Sequence, residues 1–242
     1  MQSPAVVEDN IIDQLVAKDK ILVFTGDDTW HSLFPRQFHV DIPFDSLDTK
    51  DLFTVDDGIE NYLNRCFFAK NTSLSETVDP TCLGNDWDLF VVHFLGADHI
   101  GHTHSAHHEL MGQRLQRMDV LLKRCISSLP DNSILFMFGD HGMTNEGNHG
   151  GSSILETDSG LFVYSKEPIF SRSAATRDSK DERTLTTSLD ADMKSLTWDP
   201  ESRQFVWRKV ADVVSRPRIV AQVDLVPSLA LLMGIRKSAT NV

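Results

Sequence analysis

Six of the chain's ten histidines fall between positions 93 and 108. Within that stretch Asp98 and His102 stand four apart, a spacing that puts a carboxylate and an imidazole on one face of a helical turn, where both reach one cation. A second acid–imidazole pair, Asp140-His141, directly follows the apolar run Ile134 to Phe138, and Gly139 and Gly142 on either side let the backbone bend toward a ligand. His149 follows in Gly147-Asn148-His149-Gly150-Gly151. Mixed Asp and His donors suit zinc or a similar borderline metal better than magnesium or calcium, which prefer all-oxygen shells. Two such ions about 3.5–4 Å apart would clamp a phosphoryl group between them. Singly, each group has a plainer reading as a surface turn or a loop histidine, and the order of all of them along the chain makes the metal reading. His104, close to His102, is a candidate substrate contact. His93 reads as a satisfied core residue, and His99, His107 and His108 as surface or supporting groups.

These groups need a frame that brings strand ends together. Ile21 to Phe24, Leu89 to Phe94, Ile134 to Phe138 and Leu161 to Tyr164 are short apolar runs that read as buried strands, and Ile219 to Val223 is a candidate last strand. Helical spacing appears at Val7, Ile11, Ile12 and Leu15, and from Thr54 to Cys66, where Thr54 and Asp57 resemble a capping box. A long helix from about His108 to Leu129 shows a core-facing stripe at Met111, Leu115, Met118, Leu122, Cys125 and Leu129, and a short one covers Val226 to Leu232. Residues 70 to 86 and the His-rich stretch after Phe94 read as loops. Strands alternating with helices predict an α/β fold, a mainly parallel sheet with helices on both faces, whose sites lie at the carboxyl ends of strands. A polar stretch at about 171–216 reads as an insertion, partly disordered at first, with order returning near Phe205.

Composition narrows the partners. A formal charge of −12 opposes any general affinity for nucleic acid, and an anionic substrate would need bound cations. No apolar run approaches the roughly 20 residues that cross a bilayer, and Met1 is not followed by a signal peptide. Cys66, Cys82 and Cys125 form no C-x-x-C pair, and one stays unpaired if two are bridged. Asn71-Thr72-Ser73 is an N-glycosylation acceptor triplet.

His93-Phe94-Leu95-Gly96 through His102, Gly139 to Met143 and His149-Gly150-Gly151 together resemble the alkaline phosphatase and type I phosphodiesterase superfamily. More narrowly, Gly26-Asp27-Asp28-Thr29-Trp30, Leu33-Phe34-Pro35, Val55-Asp56-Asp57-Gly58-Ile59 and Gln222 to Leu229 resemble the glycosylphosphatidylinositol (GPI) ethanolamine phosphate transferases, closest to the class acting on the third mannose of the anchor. The resemblance implies an alkaline-phosphatase-like catalytic domain over 1–242, incomplete at its amino end. It implies one zinc on Asp98, His102 and His149, and a second on Asp140 and His141 with an upstream Asp and a nucleophilic Thr that match nothing here. It implies transfer of ethanolamine phosphate from phosphatidylethanolamine to a GPI precursor in the lumen of the endoplasmic reticulum. Membrane segments outside these residues and a small membrane-protein stabilising subunit are also implied. The alternatives are a soluble metal-dependent nucleotide phosphodiesterase or phosphatase, and a non-catalytic metal-binding fragment.

Overall fold

A computed structural model describes residues 4–69, 79–166, 194–199, 204–209 and 219–235. Its centre is β1 (Leu22–Asp27), buried along its whole length, as expected of a middle strand covered on both faces. Parallel neighbours β2 (Val40–Phe44) and β3 (Leu89–His93) flank it in the order β2-β1-β3. Because side chains alternate along a strand, Leu22 and Phe24 face one layer and Val23 the other. The first layer holds Ile12 and Leu15 of α1 (Ile11–Val16), together with Ala230 of the last helix, α7 (Leu225–Leu232), and Ile235 beyond it. The second holds Val55, Ile59 and Tyr62 of α3 (Thr54–Tyr62), which runs on as a π-turn through Phe67, and Leu121 of α5 (Glu109–Ser128). Helices thus cover both faces, as the alternating pattern predicts.

Several expectations are corrected. The stretch after β3 is a helix, α4 (Gly96–His104), not a loop. A short helix α2 (Thr29–Leu33) and strand β2 were not read from the sequence. Val7 lies outside α1 and is exposed, because Asn10 caps the helix by accepting from the Asp13 amide at 2.9 Å. The strands β4 (Ile134–Phe138) and β5 (Leu161–Ser165) pair antiparallel with each other. Between them lies the short helix α6 (Ile154–Thr157). Ile219 to Val223 forms no strand: Ile219, Val220 and Val223 are exposed, and Gln222–Asp224 is a single 3-10 turn leading into α7. The buried face of α5 runs through Met111, Arg114 and Leu121, whereas Leu115 is exposed. Of the two readings for His99, surface or supporting group, its burial leaves the second. Most of the polar stretch at 171–216 lies outside the described residues, as does the Asn71 triplet; within it an antiparallel hairpin, β6 (Lys194–Asp199) and β7 (Gln204–Lys209), begins ahead of Phe205. No helix among the described residues is long and apolar enough to cross a membrane.

Thr54 and Asp57 form no capping box at α3, whose end has no side-chain cap of that kind. Asp51 does the work, accepting from the Phe53 and Thr54 amides, each at 3.0 Å. Hydrogen bonds from the Thr54 side chain and amide, then from Phe53, hold its carboxyl down to about 2. A depressed carboxyl contributes stability above its unfolded value near 3.9, and that contribution is lost as the pH falls through the folded value. The stability difference between the wild type and Asp51→Ala should therefore be constant above about pH 5 and shrink toward zero near pH 2 in a series of thermal melts.

Cys66 in the π-turn is bonded to Cys82, 16 positions on. The same corner is tied by Tyr62, whose hydroxyl donates to the Thr81 carbonyl at 2.7 Å, and by the Arg65–Asp79 ion pair. Closing a loop of this size is worth about 3 kcal/mol in the unfolded chain. Reduction with dithiothreitol should lower the urea-unfolding free energy by about that amount, and the Cys66→Ser/Cys82→Ser pair should show the same loss without reductant. Cys125 is free, and burial pushes its thiol up to about 11, so it should resist alkylation in the folded chain.

Candidate metal centre

The site is built on α4 and on the loop from Gly139 to Gly151. α4 starts three residues after β3 ends, which places Asp98 in its first turn and His102 one turn on. Nε2 of His102 lies 3.4 Å from Asp98 Oδ1. The loop following β4 then folds back onto this helix. A Cβ on Gly147, whose φ is +90°, would stand 1.9 Å from the Gly101 carbonyl oxygen, and one on Gly101 would overlap the Met143 sulfur at 2.1 Å. Only glycine permits that approach, and Gly147 also needs it for its left-handed backbone. The loop is closed by Gly147 donating to the Thr144 carbonyl at 3.0 Å and Thr144 donating to the Asn148 carbonyl at 2.8 Å. A further tie comes from Ala106, whose amide donates to the Asn145 carbonyl.

This folding back brings His149 Nε2 to 3.3 Å from the same Asp98 oxygen. His102 and His149 have ring centres 4.9 Å apart, and His141 stacks on His149 at 3.8 Å. Asp98, His141 and His149 each offer a ligand atom, all within 4.8 Å of one another, so these side chains form a group that could hold a metal ion. Two features fit a cation. Asp98 Oδ1 is buried and has no hydrogen-bond partner although two imidazoles face it, an arrangement that a shared positive charge would satisfy. His141, with Nδ1 protonated, donates to the Gly142 carbonyl at 2.8 Å and leaves Nε2 bare, the usual way a ligating histidine is oriented.

Asp140 is less enclosed. Its carboxylate accepts from the His141 amide at 3.1 Å and lies 3.6 Å from His141 Nε2, with two thirds of its side chain exposed. Gln222 fixes the backbone there, its amide donating to the Asp140 carbonyl at 2.6 Å. His104 stacks against His108 with ring centres 4.5 Å apart, both outside the Asp98 group. His93 ends β3 as a satisfied residue, accepting from Trp30 Nε1 at 3.0 Å. Among the described residues a second grouping, Cys66, Asp79 and Cys82, has donor atoms equally close, but its two sulfurs are spent in the disulfide.

Two further residues support this site without a motif that marks them. Asp56 and Arg114 are both almost fully buried beneath the start of α4. An acidic residue one position after Val55 and three before Ile59, on the helical face that those apolar positions mark, is the signal that points to the first of them.

A parallel α/β sheet with Asp98 and His102 beyond the end of β3, met by His141 and His149 from the loop after β4, is compatible with metal-assisted phosphoryl transfer, and the chain belongs to the type I phosphodiesterase / nucleotide pyrophosphatase family, whose model matches residues 14–218. Its curated relatives narrow the likeness. The chain is 36% identical over 96% of its length to GPI ethanolamine phosphate transferase 3, catalytic subunit, of Mus musculus, and 35% identical over the same share to the Homo sapiens protein. It is 34% identical over 94% of its length to GPI ethanolamine phosphate transferase 3 of Saccharomyces cerevisiae. It spans 16% of the two mammalian proteins and 18% of the yeast one.

Proposed function

We propose that these residues are the metal-holding part of the catalytic domain of a GPI ethanolamine phosphate transferase acting in the endoplasmic reticulum, of the class that modifies the third mannose. The convergence of Asp98, His141 and His149 within 4.8 Å, in a chain 36% identical to such a transferase, carries the reading. Asp98, His102 and His149 would hold one zinc, and Asp140 and His141 would contribute to a second. Bound metal would supply positive charge to the phosphoryl oxygens and lower the pKa of an attacking hydroxyl. Asp98 serves by its buried, unpartnered oxygen, and His141 by the Gly142 carbonyl that fixes its ring.

The threonine nucleophile that the family resemblance implies has no counterpart assigned among these 242 residues, so activity is assigned to the complete protein. Phosphatidylethanolamine is the proposed donor and a mannose of the GPI precursor the acceptor. His104 is a proposed substrate contact, an exposed residue on the same helix as Asp98 and His102. A lumenal position is supported by the Cys66–Cys82 bond, since disulfides persist in oxidising compartments. Attachment through membrane segments, and through a small membrane-protein subunit, belongs to the same proposal.

The test is an assay of the complete protein in microsomes with phosphatidylethanolamine labelled in its headgroup. Label moving to the GPI precursor, and failing to move with His149→Ala, is the expected result. Release of nucleoside monophosphate from a dinucleotide without any transfer to glycolipid would favour a nucleotide phosphodiesterase instead.

A further inference from the structure

The first four backbone amides of a helix have no partner within it, and at α4 a single buried carboxylate takes two of them. Asp56 Oδ1 accepts from Leu95 at 3.0 Å and from Gly96 at 2.9 Å. Its other oxygen accepts from Arg114 Nη1 at 2.7 Å, and Arg114 Nη2 donates to the Leu52 carbonyl. Asp56 is 2% exposed and Arg114 4%, so the pair is enclosed while both charges are hydrogen-bonded. The fit is close enough to demand glycine: a Cβ on Gly96 would stand 2.5 Å from Asp56 Oδ2 and 2.7 Å from Arg114 Cζ. A second tie, His99 Nδ1 donating to the Asp51 carbonyl at 2.8 Å, holds the same turn from the α3 side.

A buried ion pair is a weak source of net stability compared with well-packed apolar residues, so what this one supplies is a fixed place for the groups it touches. Those groups are the amides that begin α4, and Asp98 follows Gly96 by two residues. We propose that Asp56, held by Arg114, is a positioning residue for the metal centre. It clamps the start of α4 so that the Asp98 and His102 ligand atoms meet those brought by the loop carrying His141 and His149. The proposal rests on the reading of Asp98 and His102 as metal ligands. Asp56 touches neither metal nor substrate and acts only through the helix.

The experiment titrates the 242-residue chain with zinc alone against a chromophoric chelator, and follows thermal unfolding and amide hydrogen exchange of the metal-free chain in parallel. Asp56→Asn keeps an oxygen for the amides but loses the charge facing Arg114. Gly96→Ala keeps both charged groups and pushes the helix off them, so it reads the clamp even if Asp56→Asn fails to fold. Leu15→Ala, in the core on the opposite face of the sheet, is the control for a loss of stability alone. Both clamp variants should bind zinc about 10- to 100-fold more weakly, the effect known for partners behind metal ligands, while Leu15→Ala lowers Tm and leaves the zinc Kd unchanged. Unchanged zinc affinity in the folded clamp variants, or an equal loss in Leu15→Ala, overturns the proposal. If the wild type binds no zinc, the metal reading fails by itself and exchange decides the clamp. Faster exchange in Asp56→Asn at Leu95 through Gly101, with α5 protected as before, upholds it as the anchor of α4; unchanged exchange there overturns it.

Discussion

Asp98→Ala should lose the first zinc, the one assigned to Asp98, His102 and His149, while the chain stays folded. The Asp98 oxygen stands between two imidazoles, 3.3 Å from His149 and 3.4 Å from His102, and it is the one anionic donor in the group with His141 and His149. Removing it leaves that first site only imidazoles to face a dication. The affinity should fall by more than the about 10- to 100-fold that follows from disturbing a group behind a ligand. The cost to folding is small, because the buried Asp98 Oδ1 has no hydrogen-bond partner to lose. What disappears is a carboxylate in the first turn, worth about 0.3–1 kcal/mol against the helix dipole. Zinc content by plasma emission after gel filtration, set beside a calorimetric melt, separates the two effects. Asp140→Ala, by contrast, should retain the Asp98 site, and full zinc stoichiometry in His149→Ala would sink the ligand assignment.

Arg114→Met has its effect on stability. It leaves the Asp56 carboxylate buried with two backbone amides and no counter-charge, and breaking such a pair from one side costs about 3–5 kcal/mol. Urea unfolding should show that loss as a shift in midpoint at constant slope. Adding Asp56→Leu removes the stranded charge and should recover part of it. Recovery stays incomplete because the Leu95 and Gly96 amides then lack an acceptor.

The sheet was legible where hydrophobicity is continuous. Leu22 to Phe24 and Leu89 to Val92 are buried or half-buried on both faces, so they read as unbroken apolar runs and appear as parallel strands. β2 has no continuous apolar signal, because Asp41 and Pro43 interrupt Val40-Asp41-Ile42-Pro43-Phe44; the proline is tolerated since β2 stands at the edge of the three-stranded sheet among the described residues. α4 has the composition of a loop, because five of its nine residues are glycine or histidine, poor helix formers whose helix depends on tertiary anchors such as Asp56. The apolar spacing on α5 points to Leu115 because Arg114 is polar, whereas the buried face turns through Arg114 toward Asp56, 58 residues away in sequence. Nor does a run like Ile134 to Phe138 state the direction of its partner, so the antiparallel pairing with β5 could not be read. The candidate ligands were legible because their residue types and the glycines around them are local signals. The folding of Gly147 onto Gly101, which brings His149 to Asp98, is a long-range contact with no local trace.

The most direct measurement is anomalous diffraction at the zinc edge from crystals of the chain grown with zinc. The account predicts a peak bonded to Asp98 and His149 at about 2.0–2.2 Å, with Asp140 and His141 at that or a second peak. Zinc held elsewhere, with no peak against Asp98, would contradict it.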